Sequence, residues 1–178
     1  MADVKLNKDK GYPQVELNNC AFRRDGRIEA QCALDATDFA TDYAFNGTIL
    51  AIDNTTRVVK YPAATSFMFG LNYSTEHMYD ERYQGLKDFA LKRGSFLPRL
   101  GYLAKGDKFT TNAIVYDDAL PLAAGQVGYL KAGDKGFIRV EASLPQSGVI
   151  DGAPQFKVIE VTTMPDGAPA LKLQVTAC

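Results

Sequence analysis

The single histidine, His77, is the first residue in this sequence that could take part in chemistry. Three carboxylates, Glu76, Asp80 and Glu81, lie near it in the chain. If the segment were helical, His77 and Glu81 would lie one turn apart and could share a metal ion. A catalytic metal site normally needs three protein ligands with supporting partners. We therefore favour a solvated polar loop here over a small hydrolase or lyase that uses His77.

Nucleophilic catalysis would also have to use His77, because a Ser-His-Asp or Cys-His arrangement needs a histidine. The sequence contains no Gly-x-Ser-x-Gly elbow, no phosphate-binding loop and no dinucleotide fingerprint. Its three cysteines, Cys20, Cys32 and Cys178, fit neither a zinc spacing nor a disulfide framework. We predict three reduced thiols, with Cys178 exposed. The sequence thus predicts no catalytic, cofactor-binding or metal-binding residue, and a protein that is not an enzyme.

Several aspartates lie where turns are expected. Asp117 and Asp118 precede a Leu-Pro-Leu segment, and a turn is the favoured reason for the pair. An unrecognised glycosidase-like pair of carboxylates stays open as an alternative, although no spacing indicates one. Asp107 and Asp134 are predicted to form turns, which is a structural role.

Composition limits the classes of function. The chain has 178 residues, 46% of them hydrophobic, which predicts one domain with its own core. Its 20 basic and 21 acidic residues give a net charge of −1, which argues against nucleic-acid binding and electrostatic membrane anchoring. No apolar stretch approaches the roughly 20 residues of a membrane span. The polar start lacks a signal-peptide core, so we expect a product that is made in the cytoplasm and either stays there or is released from the cell without secretion.

Residues 1–14 are predicted to form an extended arm. Five of the first ten residues are charged, and Pro13 favours extended geometry at Tyr12. Such a segment could be a frayed terminus. It could also clamp a neighbouring subunit, becoming ordered on that partner.

Residues 15–178 are predicted to form a single, mainly β domain, a small β-barrel or β-sandwich with at most one or two short helices. Hairpins are expected over 46–61 and 155–176, where β-branched and alternating segments flank turn residues. Phe67 begins a segment that could be a buried strand. Residues 29–45 are ambiguous, and 83–92 could be a short helix or a strand.

An internal echo supports a β fold. The segment GYLAKGDK at 101–108 recurs as GYLKAGDK at 128–135. Each copy is predicted to be a strand, a Gly-Asp turn and a second strand. Two copies are too few for a solenoid, so similar corners of a barrel or sandwich are the favoured interpretation.

Nineteen aromatic residues, nine Tyr and ten Phe, are interleaved with charged residues, most visibly through 61–102. Tyrosine can line an interface, because it buries area and keeps a polar tip. Aromatic residues at this density could equally fill the ends of a barrel core.

The C-terminal half resembles a family, the head decoration (capsid cement) proteins of tailed bacteriophages. The likeness covers about residues 46–176 and rests on turns and strands rather than on catalytic residues. The matching segments are PRLGYL at 98–103, GDKFTTN at 106–112, YSTE at 73–76, YD at 79–80, GLK at 85–87, FKVIE at 156–160 and PDG at 165–167. The first 45 residues match no family.

The resemblance implies a structural virion protein on the capsid exterior. Such a protein would bind across major capsid protein subunits and stabilise the shell, without a cofactor. It leaves open whether copies of the chain also associate, for example as a trimer. Another virion β-module, such as a tail or fibre-base protein, remains the main alternative.

Overall fold

Short β-strands make up most of the regular structure in the computed structural model, which describes residues 3–7, 11–74 and 86–178. The described strands are β1 (Asp3–Lys5), β2 (Val15–Asn19), β3 (Ile28–Glu29), β4 (Ala33–Leu34), β5 (Tyr43–Ala44), β6 (Ile49–Asp53), β7 (Val58–Lys60), β8 (Phe69–Asn72), β9 (Leu91–Lys92), β10 (Leu100–Gly101), β11 (Lys108–Thr111), β12 (Ile114–Asp117), β13 (Val127–Tyr129), β14 (Ile138–Glu141), β15 (Gln155–Thr163) and β16 (Pro169–Ala177). Two short helical segments accompany them, α1 (Ala21–Asp25) and a 3-10 helix at Leu86–Asp88. The predicted mainly β fold class is confirmed.

Two large sheets organise these strands. The first has eight strands in the order β1-β12-β14-β13-β15-β16-β11-β2, and the second has six in the order β3-β10-β8-β6-β7-β4. β5 and β9 form a separate pair. The pairing is antiparallel except between β12 and β14 and between β4 and β7. The described strands are arranged like a sandwich and do not close into a barrel.

The main core lies between the two large sheets. Ile49 and Leu71 face it from the six-stranded sheet, and Phe109 and Phe156 face it from the eight-stranded sheet. The two phenylalanine rings meet edge to face, with centroids 5.7 Å apart. Such pairs add to the stabilisation that burial of the rings already gives.

A second core covers the other face of the six-stranded sheet. Leu50, Ile52 and Val59 contribute to it, together with Phe39 and with Leu91 of β9. Successive side chains on a strand point to opposite faces. The apolar run of β6 is therefore buried on both sides, which explains why it does not alternate with polar residues.

Both predicted hairpins are confirmed. β6 and β7 pair antiparallel, and the Asp53 carboxylate accepts the backbone N–H groups of Thr55 and Thr56 in the turn between them. β15 and β16 pair antiparallel along nine residues each. In β16 the apolar residues of alternate positions are buried, as period two predicts.

Three segments differ from the sequence patterns or resolve them. Asp25-Gly26, a dipeptide typical of β-hairpin turns, here ends helix α1, and Gly26 adopts the left-handed conformation that commonly caps helices. Residues 29–45 hold the end of β3 and all of β4 and β5. The described part of 83–92 contains both the 3-10 helix and the strand β9. Leu91 of β9 is buried in the second core.

The described part of the arm lies on its own domain. β1 pairs antiparallel with β12 at one edge of the eight-stranded sheet. Further along, the Tyr12 N–H donates to the Lys87 carbonyl, and the Gln14 N–H donates to the Asn112 side chain. β1 is extended, and its pairing partner in the structure belongs to the same chain.

Within the described ranges, no helix has the length and apolar character that crossing a membrane requires.

Candidate protein-binding surface

The histidine considered for catalysis, His77, lies outside the described residues, as do Glu76, Asp80 and Glu81. Among the residues that are described, no group of three or more His, Cys, Asp or Glu side chains could hold a metal ion. The polar-loop interpretation of the His77 segment stays a prediction.

The three cysteines are free thiols, with Cys20 and Cys32 buried and Cys178 exposed. Burial, and secondarily the charge of Asp107, raises the pKa of the Cys20 thiol to about 12. Burial, followed by the charge of Glu29, raises the pKa of the Cys32 thiol to about 11. Since the thiolate is the reactive form, neither buried cysteine is prepared as a nucleophile.

We expect only Cys178 of the native protein to react within minutes with a thiol reagent at pH 8, because the buried cysteines are protonated and covered. Counting the thiols released by Ellman's reagent, before and after addition of guanidinium, measures this. The matched control is Cys178→Ser, which should remove the fast phase entirely. Three fast thiols in the native wild type would contradict the described burial.

The predicted turn role of the aspartates holds. The Asp117 carboxylate accepts the Ala119 N–H at 3.0 Å. One oxygen of Asp107 accepts the Ala104 N–H within its own corner, and the other accepts the Ala21 N–H at the start of α1, each at 2.9 Å. The first echoed corner therefore also fastens the N-terminal half of the chain.

In the second echoed corner, at 128–135, Asp134 binds an arginine side chain. Asp134 receives two hydrogen bonds from the Arg139 guanidinium, at 2.8 and 3.0 Å. The same guanidinium donates two more to Asp3 in β1, at 2.8 and 2.7 Å. The side chains of Arg139 and Asp134 are 8% and 14% exposed, whereas that of Asp3 is 58% exposed. We call Asp3, Asp134 and Arg139 the arginine clamp.

Hydrogen bonding within the clamp favours the charged forms of Asp3 and Arg139. The hydrogen bond from Arg139 holds the pKa of Asp3 below its usual range, and the bonds to Asp3 and Asp134 raise the pKa of Arg139. A carboxyl with a lowered pKa in the folded state contributes stability above its unfolded pKa and loses it as the pH falls through the folded pKa. The attachment of β1 is therefore strongest at neutral pH and is lost in acid.

Two loops expose apolar side chains to solvent. Phe67 is 92% exposed, and it lies beside Met68 on a groove of about 350 Å³ along β6. Phe96 is 56% exposed, and it lies beside Leu97 on a groove of about 320 Å³ along β4. We call residues 67–68 and 96–97 the aromatic loops. Both border the six-stranded sheet.

Sequence reasoning missed the aromatic loops. Phe67 was predicted to begin a buried strand, but β8 begins at Phe69, and the two residues before it face outward. Of the aromatic residues in 61–102, Tyr73 is buried in the core and Phe96 is largely exposed, and the interface interpretation stays a prediction. The flanking serines, Ser66 and Ser95, are the sequence signal that could have marked these positions as loops.

Exposed aromatic side chains beside shallow grooves can anchor a protein partner. Each ring contributes a large apolar area when it enters a pocket on that partner. The grooves also carry polar groups, such as Asn54 and Lys60 in the first and Arg93 in the second. The arrangement therefore defines a β-sandwich-like chain with a candidate protein-binding surface.

Comparisons with protein-family models, with curated proteins and with solved structures found no match to this chain.

Proposed function

We propose that this chain is a non-enzymatic structural protein of a tailed-phage virion, bound to the outside of the capsid across major capsid protein subunits. The single observation that carries a binding role is the exposure of Phe67 and Phe96 at the six-stranded sheet. The nature of the partner rests on the resemblance to decoration proteins.

The exposed aromatic loops support binding to protein for a physical reason. Leaving apolar surface in water is unfavourable by about 25 cal/mol for each Å². A soluble chain gains when such residues enter a complementary surface, and aromatic anchors of this kind account for much of the binding energy at interfaces. Phe67 is nearly as exposed as a side chain can be, so a partner can bury almost all of it.

The segments of the resemblance fall on the framework of the fold. Residues 98–103 contain β10 of the six-stranded sheet, and residues 106–112 contain β11 of the eight-stranded sheet. The motif thus spans the corner where the chain passes from one sheet to the other, with Asp107 in the turn. This supports the proposal that the resemblance reflects a shared β framework. Residues 75–85 of the likeness lie outside the described residues.

Co-sedimentation of the purified chain with empty capsids tests the proposal. Wild type is expected to sediment with the capsids, and Phe67→Ser combined with Phe96→Ser is expected to bind at least about thirtyfold more weakly, a loss of about 2 kcal/mol. The matched control is Leu144→Ser, an exposed apolar residue outside both aromatic loops, which should bind like wild type.

The outcomes separate the alternatives. Wild-type chain that stays in the supernatant with intact capsids contradicts the capsid proposal. Electron microscopy of gold-labelled chain on whole particles then distinguishes a tail or fibre-base protein, which would carry the label on the tail alone. Equal binding by the double variant and wild type would show that the aromatic loops are not the contact.

A further inference from the structure

β1 is an edge strand, and the surface to which it binds is held in place by contacts that do not involve β1. Its partner β12 is held on the other side by parallel pairing with β14. Arg139 of β14 is held by Asp134, which lies in the connection between β13 and β14. The surface that receives β1 therefore consists of the β12 edge and a guanidinium already fixed by a second carboxylate.

The strand itself is short, and two of its three side chains are exposed. β1 has three residues, and Asp3 and Lys5 are exposed while Val4 is half-buried. Asp3 is bound to Arg139, and the Lys5 ammonium lies 4.2 Å from the centre of the Phe137 ring. Beyond β1, the Leu6 N–H donates to the Ile114 carbonyl, and the half-buried Leu6 side chain packs against the main core.

One pairing in this strand is unfavourable. The register places Asp3 opposite Asp117, and like charges directly opposite in a sheet destabilise the pair. A short edge segment can open locally at a lower free-energy cost than unfolding of the whole domain. The attachment is therefore specific, through the clamp, and at the same time easily opened.

A second copy of the chain carries a segment that fits the vacated edge. It would supply the same aspartate to Arg139, the same lysine to Phe137 and the same backbone groups to β12. Because every contact of β1 is reproduced, the cost of exchange is the translational and rotational entropy that two chains lose when they form a dimer. Exchange therefore becomes favourable as the local concentration of copies rises.

We propose that β1 is exchanged between copies, so that residues 3–7 of one chain pair with β12 of a second and the arginine clamp closes between the two molecules. This goes beyond the proposed function, because it concerns contacts between identical chains and holds whatever larger partner the aromatic loops bind.

Disulfide trapping in the full-length chain tests the exchange. Lys5 and Val115 are opposite in the register, a position at which paired strands bring two cysteines within disulfide range. One variant carries Lys5→Cys and a second, isotopically labelled, carries Val115→Cys, each with Cys178→Ser to remove the exposed thiol. The two are mixed at about 1 µM and about 200 µM and then oxidised, so that exchange is compared across concentration.

The expected result is a disulfide-linked mixed dimer, identified by mass, whose yield rises with concentration. The yield with the Val115→Cys partner should be at least about fivefold higher than the yield with a Lys157→Cys partner. Lys157 is an exposed residue of β15 and lies away from the edge of β12 that binds β1. Equal yields from the two partners would overturn the proposal, because they would reflect collision alone.

A single chain with both Lys5→Cys and Val115→Cys supplies the geometric control. At about 1 µM it should form the disulfide within one molecule. If it does so while the mixture of single variants forms no dimer, β1 stays with its own chain and exchange is overturned. If the double variant forms no disulfide, the register on which the proposal rests is overturned as well.

Discussion

Replacing Gly47 by alanine is expected to lower the free energy of unfolding by about 4 kcal/mol, from backbone strain and overpacking together. Gly47 has a φ of +80°, a conformation that residues with a Cβ rarely adopt. A Cβ added there would lie 2.0 Å from the Thr111 hydroxyl oxygen and 2.8 Å from the Gln14 carbonyl oxygen. Urea denaturation followed by circular dichroism measures the loss.

The clash, rather than the φ angle alone, makes this position intolerant. The Thr111 hydroxyl donates to the Gln14 carbonyl at 2.7 Å and accepts the Ala113 N–H at 3.0 Å. All of these groups are buried, so moving the hydroxyl leaves polar atoms without partners. A methyl group at residue 47 would thus disturb the attachment of the end of the arm to the sheet.

Gly106→Ala is the matched control. Gly106 has a φ of +96° but nothing within 4 Å of an added Cβ, so only the backbone term applies. Its expected cost is about 1 kcal/mol. If the two substitutions lowered the stability equally, the close approach at Gly47 would be contradicted.

Replacing Arg139 by alanine is expected to lower the free energy of unfolding by about 3 kcal/mol, because it removes the partner of a nearly buried carboxylate. The Asp134 carboxylate would lose the two hydrogen bonds that it now receives from the guanidinium. The same change removes the anchor of Asp3, so β1 should separate from β12. Urea denaturation reports the first effect, and hydrogen exchange of the residue 4–6 amides reports the second.

Two further variants separate these effects. Asp3→Asn should release β1 with little loss of global stability, because the Asp3 side chain is 58% exposed and leaves Asp134 still bound to Arg139. Arg24→Ala removes an exposed pair with Asp25 and should leave both measurements unchanged. Faster exchange at residues 4–6 in the Arg24 variant would mean that the exchange does not report the clamp.

The parts of the fold that sequence predicted are those determined by neighbours along the chain. The β6–β7 and β15–β16 hairpins have alternating or β-branched strands next to turn residues. In each hairpin the two paired strands are also close together in the sequence. The Asp107 corner is similar, because the carboxylate binds Ala104 three residues earlier. Local chemistry decides these elements, so local patterns reveal them.

The position of the arm depends instead on a distant partner. Asp3 binds Arg139, 136 residues further along the chain, and nothing near Asp3 in the sequence indicates that contact. Charge in the first ten residues suggested a segment in need of another surface. A clamp on a neighbouring subunit stays a prediction, and in the structure β1 pairs with β12 of the same chain.

The aromatic loops could not be predicted for a related reason. Phe67, Met68 and Phe69 form one apolar run, and composition alone does not distinguish a buried residue from an exposed one. The distinction arises from where β8 begins to pair with β6, at Phe69 opposite Ala51. Register, which is set by tertiary contacts, decides the exposure of Phe67.

Both outer edges of the eight-stranded sheet come from the first twenty residues of the chain, with β1 at one edge and β2 at the other. During synthesis these segments leave the ribosome before their partners β12 and β11, which lie far downstream, at Ile114–Asp117 and Lys108–Thr111. Pairing between such distant segments makes folding slow. We therefore expect the nascent chain to carry unpaired strands through much of translation, a period in which it depends on chaperones or low concentration to avoid aggregation.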